Sequence, residues 1–167
     1  MFRKMRRFQQ ELAEDESIKI LSSATHGVLA VSGDGGYPYA VPLSYVLDGK
    51  TIYFHCAREG HKLDAIKSCS KVSFCVVSED NVVPEKYTTY YRSVIAFGRA
   101  RVVEDEAECL RAMELLAKKY HPNGSRESRM SEIDGALGRF CVVGIEIEHL
   151  SGKEAKELMV QRKLEER

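Results

Sequence analysis

Two short basic groups in this sequence could bind an anion. The first is Gly60-His61-Lys62, which follows an apolar stretch and opens an amphipathic one. A helix N-terminus offers free backbone N–H groups and the positive end of the helix dipole, and a flanking lysine adds a full charge. This arrangement is typical of a phosphate site, although a glycine turn followed by a solvated lysine has the same pattern.

The second group is Arg92-Ser93, at the entrance of the apolar stretch "VIAFG". An arginine at this position could bind a phosphate with two N–H groups, and the serine could bind the phosphate or a polar ring edge. The alternative is a cation at the end of a strand. The two basic groups form one anion site only if folding brings them together.

His55 is the third candidate, within "IYFHCA". Strand periodicity places Tyr53 and His55 on one face and Ile52 and Phe54 on the other. We therefore expect a partly buried imidazole that donates a hydrogen bond to a ligand or stacks against one. A core histidine paired within the protein is the alternative.

Familiar catalytic motifs do not occur in the sequence. It contains no GxSxG, GxxxxGK[ST], HExxH or GxGxxG motif. Five cysteines are scattered without zinc-site spacing, so we expect no metal site and reduced thiols. If the chain catalyses a reaction, a bound organic cofactor is the economical source of the chemistry.

Charge and length restrict the class of protein further. The 25 basic residues balance the 25 acidic residues, so any anion site is local, and a broad surface for nucleic acid is not expected. The 167 residues suit a single domain. No apolar run approaches the roughly 20 residues of a membrane span, and the N-terminus has no apolar signal core, which predicts a cytoplasmic protein.

The surrounding pattern predicts about six strands in hairpin order, interrupted by short helices. Asp48-Gly49 is a strong hairpin signal, Gly98 marks a bulge or a close approach, and Pro38 and Pro42 indicate a strand with an unpaired side. Acidic residues at the start and basic residues at the end of "EDEAECLRAMELLAKKY" make this the clearest helix. We expect a mainly β fold, an antiparallel barrel or open barrel with peripheral helices.

The flanking segments are predicted to be helical or charged. Residues 1–25 form an N-terminal helical segment, a short helix lies near residues 129–137, and residues 155–167 form a charged, loosely helical tail.

Several of these pieces together resemble a known family. The order of "PYAVPLSYV", "IYFHCAREGHKLDAI", "KVSFCVV", "YYRSVIAFGRARVV" and "LSGKE" is similar to that of the flavin-binding split barrels related to pyridoxamine 5′-phosphate oxidase, most closely the Nim-type nitroimidazole-resistance branch. The resemblance runs from about Gly27 to Glu154. It implies a six-stranded antiparallel split β-barrel that dimerises and holds FMN at the subunit interface.

The resemblance also implies the residues of the cofactor site. The strand along the flavin ring matches Val41, Pro42, Leu43 and Ser44, and the end of the next strand matches His55, Cys56 and Ala57. The phosphate clamp matches His61 and Lys62, with a further polar contact at Arg92 and Ser93. A histidine at the position of His55 has been proposed to act at the flavin and substrate in the Nim branch, so His55 is the candidate catalytic residue.

The sequence departs from the oxidase pattern at three places. Tyr39 or Ala40 replaces the basic first residue of the flavin strand, and His61 replaces an arginine on the phosphate side. The C-terminal "EAKELMVQRKLEER" lacks the basic substrate-binding signature, so synthesis of pyridoxal phosphate is not expected.

We therefore expect an FMN-dependent oxidoreductase that passes electrons from NADH or NADPH to a small electrophile such as a nitroaromatic. A flavin-binding redox sensor or FMN buffer without turnover is the alternative. A haem-binding or haem-degrading split barrel, using His26, His121 or His149 as an iron ligand, is a third possibility.

Overall fold

The computed structural model describes residues 1–136 and 138–165. The ends of two expected segments, Leu137 and residues 166–167, lie outside these described residues. The strands are β1 His26–Ser32, β2 Pro38–Ser44, β3 Val46–Asp48, β4 Thr51–Ala57, β5 Lys71–Val83, β6 Thr88–Val102 and β7 Phe140–Glu154. The helices are α1 Glu14–Ser23, α2 His61–Ser68, α3 Glu106–Tyr120, α4 Arg126–Ala136 and α5 Lys156–Glu165, with short 3-10 helices at Phe8–Gln10, Asp34–Gly36 and Pro84–Lys86.

All seven strands form one antiparallel sheet in the order β2-β1-β5-β6-β7-β4-β3. β2 and β3 are the two edges of this sheet, yet only Tyr45 separates them in the chain. One residue spans only about 3.5 Å, so the sheet must curl until its two edges meet at Tyr45. The expected mainly β antiparallel barrel with peripheral helices is confirmed.

The described residues form seven strands rather than the expected six, because the expected strand through residues 38–48 divides at Tyr45. The Tyr45 side chain is fully buried, and its hydroxyl donates to the carbonyl of Leu21 in α1. Its backbone N–H donates to the Tyr120 hydroxyl at 2.8 Å instead of to a neighbouring strand. The bend is thus fixed by contacts with two helices that lie far away in sequence.

The turn and edge signals of the sequence are confirmed. Gly49 has a φ of 58° and turns β3 into β4, a conformation that glycine adopts without strain. Pro38 and Pro42 lie on edge strand β2, where a missing backbone donor is tolerated. At Gly98 the pairing of β6 with β7 shifts register, and a Cβ there would clash with the carbonyl oxygen of Glu146.

The helices follow the expected pattern with small shifts. The Asp105 side chain caps α3 by accepting the backbone N–H of Glu108 at 2.7 Å, and Lys118 and Lys119 lie in the last turn. α4 begins at Arg126, before the expected start. In the N-terminal segment, only α1 and the short turn at Phe8–Gln10 are helical.

Apolar side chains form two cores on opposite sides of the curled sheet. The barrel interior contains Leu29, Phe54 and Phe74, and α2 contributes Leu63 and Ile66 to it. A second core lies outside the barrel, where α3 packs against β3, β4 and β7. Its buried members are Val46, Tyr53, Val103, Ala112, Leu116 and Val142.

On β2, β1, β5 and β6, the side of the sheet that points away from the barrel interior carries mostly apolar residues in register, and we call these residues the outer face. One row across the four strands is Pro42, Val28, Cys75 and Ile95, and the next is Ala40, Ala30, Ser73 and Phe97. The members of these rows are exposed or half-buried. Phe2 packs against Phe97 with ring centroids 5.5 Å apart.

Among the described residues, none of the helices combines the length and the apolar character that crossing a membrane would require.

Candidate functional site

The start of α2 lies against the turn before β2. Gly60 precedes the helix with a φ of 129°, a conformation that favours glycine. The His61 ring stacks on Tyr39 with centroids 4.2 Å apart, and its Nε2 lies 3.7 Å from a carboxylate oxygen of Asp34. The two positions that depart from the basic family pattern, Tyr39 and His61, therefore contact each other.

Lys62 is the cation that remains available at this end of the site. Its side chain is partly buried, and its ammonium interacts electrostatically with the Cys56 thiol. In the described part of the chain, no carboxylate lies within ion-pair distance of Lys62. An unpaired ammonium at the first turn of a helix suits a phosphate group.

Edge strand β2 runs from this basic end toward a cavity. Among the described residues it pairs only with β1, so no described strand pairs with the backbone groups along its other side. Val41 and Leu43 pack against the barrel interior, whereas Pro42 and Ser44 are exposed. Contacts of a ligand with Val41 and Leu43 would therefore come from their backbone groups.

His55 lies at the other end, in a cavity of about 550 Å³ shared with Ser44. The expectation of a partly buried imidazole is wrong for the single chain, because His55 is exposed. The reason is its face of β4: it points out of the barrel, toward the space under α3 and α4. The His55 ring meets Phe140 edge-on, with centroids 6.0 Å apart.

The cavity has walls that the sequence did not reveal. Met113 and Tyr120 from α3, Arg129 and Glu132 from α4, and Phe140 from β7 line it with His55. The amphipathic pattern of α3 shows that the helix packs on something, but contact between α3 and α4 is a tertiary event with no local signal. The lining is mainly apolar with a few polar groups, as in small-molecule sites.

Tyr120 fixes this wall in place. Its hydroxyl accepts the backbone N–H of Tyr45 at 2.8 Å and lies within hydrogen-bond distance of the carbonyls of Thr25 and Tyr45. Burial raises the pKa of Tyr45, so its hydroxyl stays a neutral donor at ordinary pH. The C-terminal end of α3 is thereby attached to the corner where the sheet edges meet.

Arg92 and Ser93 do not join the other site residues within one chain. Arg92 pairs in register with Glu154 at one end of β7, whereas Ala57 pairs with Phe140 at the other end. The Arg92 guanidinium lies 3.4 Å from Glu79 and 3.4 Å from Glu154. It therefore serves at least one structural role, as a cation between two carboxylates at a strand end.

Ser93, unlike Arg92, belongs to the same side of β6 as Ile95, because alternate residues of a strand share a face. It lies opposite Val77 and Lys153. Its position beside the outer face makes it available to a second molecule rather than to its own β4.

The remaining histidines do not gather at one point. His149 stacks on Phe2 at 4.6 Å, His26 contacts the neighbouring Thr25 hydroxyl at 3.3 Å, and His121 lines the cavity with His55. Within residues 1–136 and 138–165, no group of three or more histidine, cysteine or acidic side chains is arranged to hold a metal ion.

The residues present fit a flavin phosphate ester in part. A free ammonium at a helix start, an open strand edge and a mainly apolar cavity succeed one another along β2. These features suit a phosphate, the polar edge of a flat ring and a small substrate, respectively. The basic residue and the arginine that the oxidase pattern has at this end are replaced by Tyr39 and His61.

Comparisons with known proteins agree with this geometry. The family model described as pyridoxamine 5′-phosphate oxidase matches residues 13–154. No curated protein matches the chain significantly.

Solved structures with the same fold include three informative cases. A protein proposed to confer 5-nitroimidazole antibiotic resistance, from Bacteroides thetaiotaomicron, is 19% identical, with a TM-score of 0.74 and 86% of each chain covered. A conserved hypothetical protein from Mycobacterium tuberculosis is 19% identical, with a TM-score of 0.79 and coverage of 93% of this chain and 92% of that one. An FAD and heme binding protein from Mycobacterium smegmatis is 16% identical, with a TM-score of 0.69 and coverage of 92% and 80%.

Proposed function

This chain belongs to the pyridoxamine 5′-phosphate oxidase family, and from that premise we propose that it is an FMN-binding oxidoreductase. The observation that carries the proposal is the run of features along β2, from unpaired Lys62 at one end to the cavity with Ser44 and His55 at the other. A protein of the same fold that binds FAD supports a flavin cofactor, and one described as a nitroimidazole-resistance protein supports the substrate class.

In this proposal Lys62 and the backbone at the start of α2 bind the phosphate of FMN. The free edge of β2 at Val41 to Ser44, with Cys56 and Ala57 of β4, contacts the rest of the cofactor. When bound, FMN supplies the two-electron redox chemistry, with NADH or NADPH as donor. The protein supplies position, exclusion of water and hydrogen bonds.

His55 is the candidate catalytic residue because it projects into the cavity that would hold the substrate. An imidazole can donate a hydrogen bond or a proton near neutral pH to an electrophilic group such as a nitro group. Phe140, Met113 and the other apolar walls suit a small aromatic molecule.

We further propose that two chains form a homodimer through the outer face. Exposed apolar residues in register on four neighbouring strands are typical of a protein interface. A dimer also offers a way to complete the site, since Arg92 and Ser93 lie too far along β6 to reach the Lys62 of their own chain. In the dimer they would contact the flavin bound to the other subunit.

The absorption spectrum of the purified protein tests the cofactor directly. We expect bands characteristic of bound flavin, and FMN released on denaturation. Protein purified without flavin should acquire the bands on titration with FMN. A protein that stays colourless after titration would contradict the proposal, and a Soret band after addition of haem would favour the haem alternative.

Anaerobic stopped-flow reduction distinguishes an enzyme from a flavin buffer. We expect NADH or NADPH to reduce the bound flavin faster than free FMN, and a nitroaromatic compound to reoxidise it. Reduction no faster than that of free FMN would contradict an enzyme and favour the flavin-binding sensor or FMN buffer.

Lys62→Ala tests the phosphate end of the site. We expect FMN binding to weaken by about 1.5 to 3 kcal/mol, the range for a hydrogen bond to a charged group. Lys67→Ala, at an exposed position in the last turn of the same helix, is the matched control and should bind FMN like the wild type. Equal affinities in both variants would show that the phosphate lies elsewhere.

A further inference from the structure

Two cysteines face each other at the end of the barrel. Cys56 near the end of β4 pairs directly with Cys141 near the start of β7, and their sulfur atoms are 3.7 Å apart. Both are free thiols, and Cys141 donates to the carbonyl of Ala57 at 3.5 Å. The neighbouring residues His55 and Phe140 belong to the candidate substrate cavity.

The distance between the sulfur atoms is compatible with a covalent bond. A disulfide needs about 2.0 Å between sulfurs and about 4.4 to 6.8 Å between Cα atoms. Directly opposite residues of antiparallel strands have Cα atoms about 4.5 to 5.5 Å apart, so the backbone already satisfies this requirement. The sulfurs must approach by about 1.7 Å, which side-chain rotation can supply.

A second cavity gives small molecules access to one of the two thiols. This cavity of about 720 Å³ is lined by Cys141 together with Cys109 and Arg58, and Cys56 is not part of its lining. Its volume is sufficient for a small peptide thiol or disulfide. Both side chains are half-buried, but from this cavity a small molecule meets Cys141, which lines it, before Cys56, which does not.

We propose that Cys56 and Cys141 form a redox-active dithiol that is oxidised to a disulfide by a low-molecular-weight disulfide. The Cys141 thiolate attacks the small disulfide, whose S–S bond breaks, and the small thiolate that leaves takes up the proton that Cys141 has lost. The Cys56 sulfur then attacks the Cys141 sulfur, and the second small thiol leaves with the proton of Cys56. Two protein thiols and one small disulfide thus become one protein disulfide and two small thiols.

The order of attack follows from access and from ionisation. Burial, with a smaller contribution from the Cys141 sulfur, raises the pKa of Cys56 to about 12. A thiol that remains protonated is a poor first nucleophile, since the thiolate is the reactive form. Contact with a sulfur already activated as a mixed disulfide compensates for this in the second step.

Peptide mapping of the full-length protein tests the proposal. The protein is incubated with oxidised glutathione, alkylated and digested with trypsin without reduction. We expect a disulfide-linked pair of the peptides Thr51–Arg58 and Phe140–Lys153, and loss of the pair after dithiothreitol. Absence of the linked pair, or linkage of Cys141 to Cys109 in its place, would overturn the proposal.

Single substitutions test the order of attack. Cys56→Ser should retain glutathione on Cys141 because the resolving thiol is missing, whereas Cys141→Ser should leave Cys56 unmodified. Cys109 lines the same cavity, so Cys109→Ser is the matched control. This variant should form the Cys56–Cys141 bond at the wild-type rate. Glutathione retained on Cys56 in Cys141→Ser would contradict the assignment, and because no flavin is needed, the result is independent of the proposed cofactor.

Discussion

Glu108 shows how a single carboxylate connects α3 to the sheet. It accepts a hydrogen bond from the Tyr53 hydroxyl at 2.7 Å and one from the Arg101 guanidinium at 2.6 Å. These two bonds hold the pKa of Glu108 below its usual value, and the bond from Arg101 contributes more than the bond from Tyr53. Because the charged form is the stabilised one, its contribution is present above the unfolded-state pKa of about 4.3 and is lost as the pH falls.

We therefore expect Glu108→Gln to be less stable than the wild type by about 1 kcal/mol at pH 7, since the group is partly exposed. Below about pH 4 the difference in free energy of unfolding should shrink, because the wild-type carboxyl becomes protonated. Urea denaturation at a series of pH values measures this difference. A difference that grows on acidification would contradict the assignment.

Individual site residues differ in how far their sequence context predicted them. Lys62 could be placed at a helix start because glycine, a basic pair and an amphipathic run are local signals. The sequence could not predict the exposure of His55 or the pairing of Arg92 with Glu79 and Glu154, since both depend on which elements fold against these residues. Sequence periodicity gives the face of a strand, but not what covers that face.

At the scale of elements, a buried carboxylate joins the C-terminal helix to the barrel. Glu154 is fully buried at the end of β7 and accepts hydrogen bonds from Arg162 of α5 at 2.8 and 2.9 Å and from Arg92 of β6 at 3.4 Å. Arg162 also approaches Glu16 of α1 at 3.8 Å. Glu154 thus links β7 to β6 and α5, and Arg162 extends the network to α1.

Glu154→Gln should destabilise the protein by about 3 kcal/mol, because it leaves two guanidinium groups without their shared counter-charge. Glu148→Gln on the same strand is the matched control. Glu148 also pairs with an arginine, Arg99 at 2.8 Å, but its side chain is 39% exposed. The control should lose less than about 1 kcal/mol, and equal losses in urea denaturation would contradict the special role of burial.

The boundaries of most elements agree with the local signals in the sequence. Capping by Asp105, the turn at Gly49 and the register shift at Gly98 all lie where the sequence predicted a helix start, a hairpin and a bulge. The division at Tyr45 could not be predicted, because tyrosine suits a strand and its position there continues the alternation. Contacts with Leu21 and Tyr120, remote in sequence, override that local preference.

At the scale of the whole molecule, the proposed dimer depends on the outer face. Ile95→Glu places a charge at the β6 end of the row formed with Pro42, Val28 and Cys75. We expect light scattering to show the wild type at twice the 18.9 kDa chain mass and the variant at the chain mass, with weaker FMN binding. The loss of FMN affinity follows because Arg92 and Ser93 of the other subunit would no longer reach the site.

Leu110→Glu is the matched control, since Leu110 on α3 and Ile95 on β6 are both 38% exposed. The control should remain a dimer and bind FMN normally. A monomeric wild type, or an Ile95→Glu variant that remains dimeric with full affinity, would contradict the proposed interface.

The order of strands in the sheet also has a consequence for synthesis on the ribosome. β4 emerges early, but the strand that covers its inner edge is β7, which begins only at Phe140. Until β7 is made, β4 presents an open hydrogen-bonding edge together with the apolar Ile52 and Phe54, the kind of surface that associates wrongly. A chain interrupted before residue 140 therefore cannot close its barrel, and pairing between the open β4 edges of nascent copies is a route to aggregation.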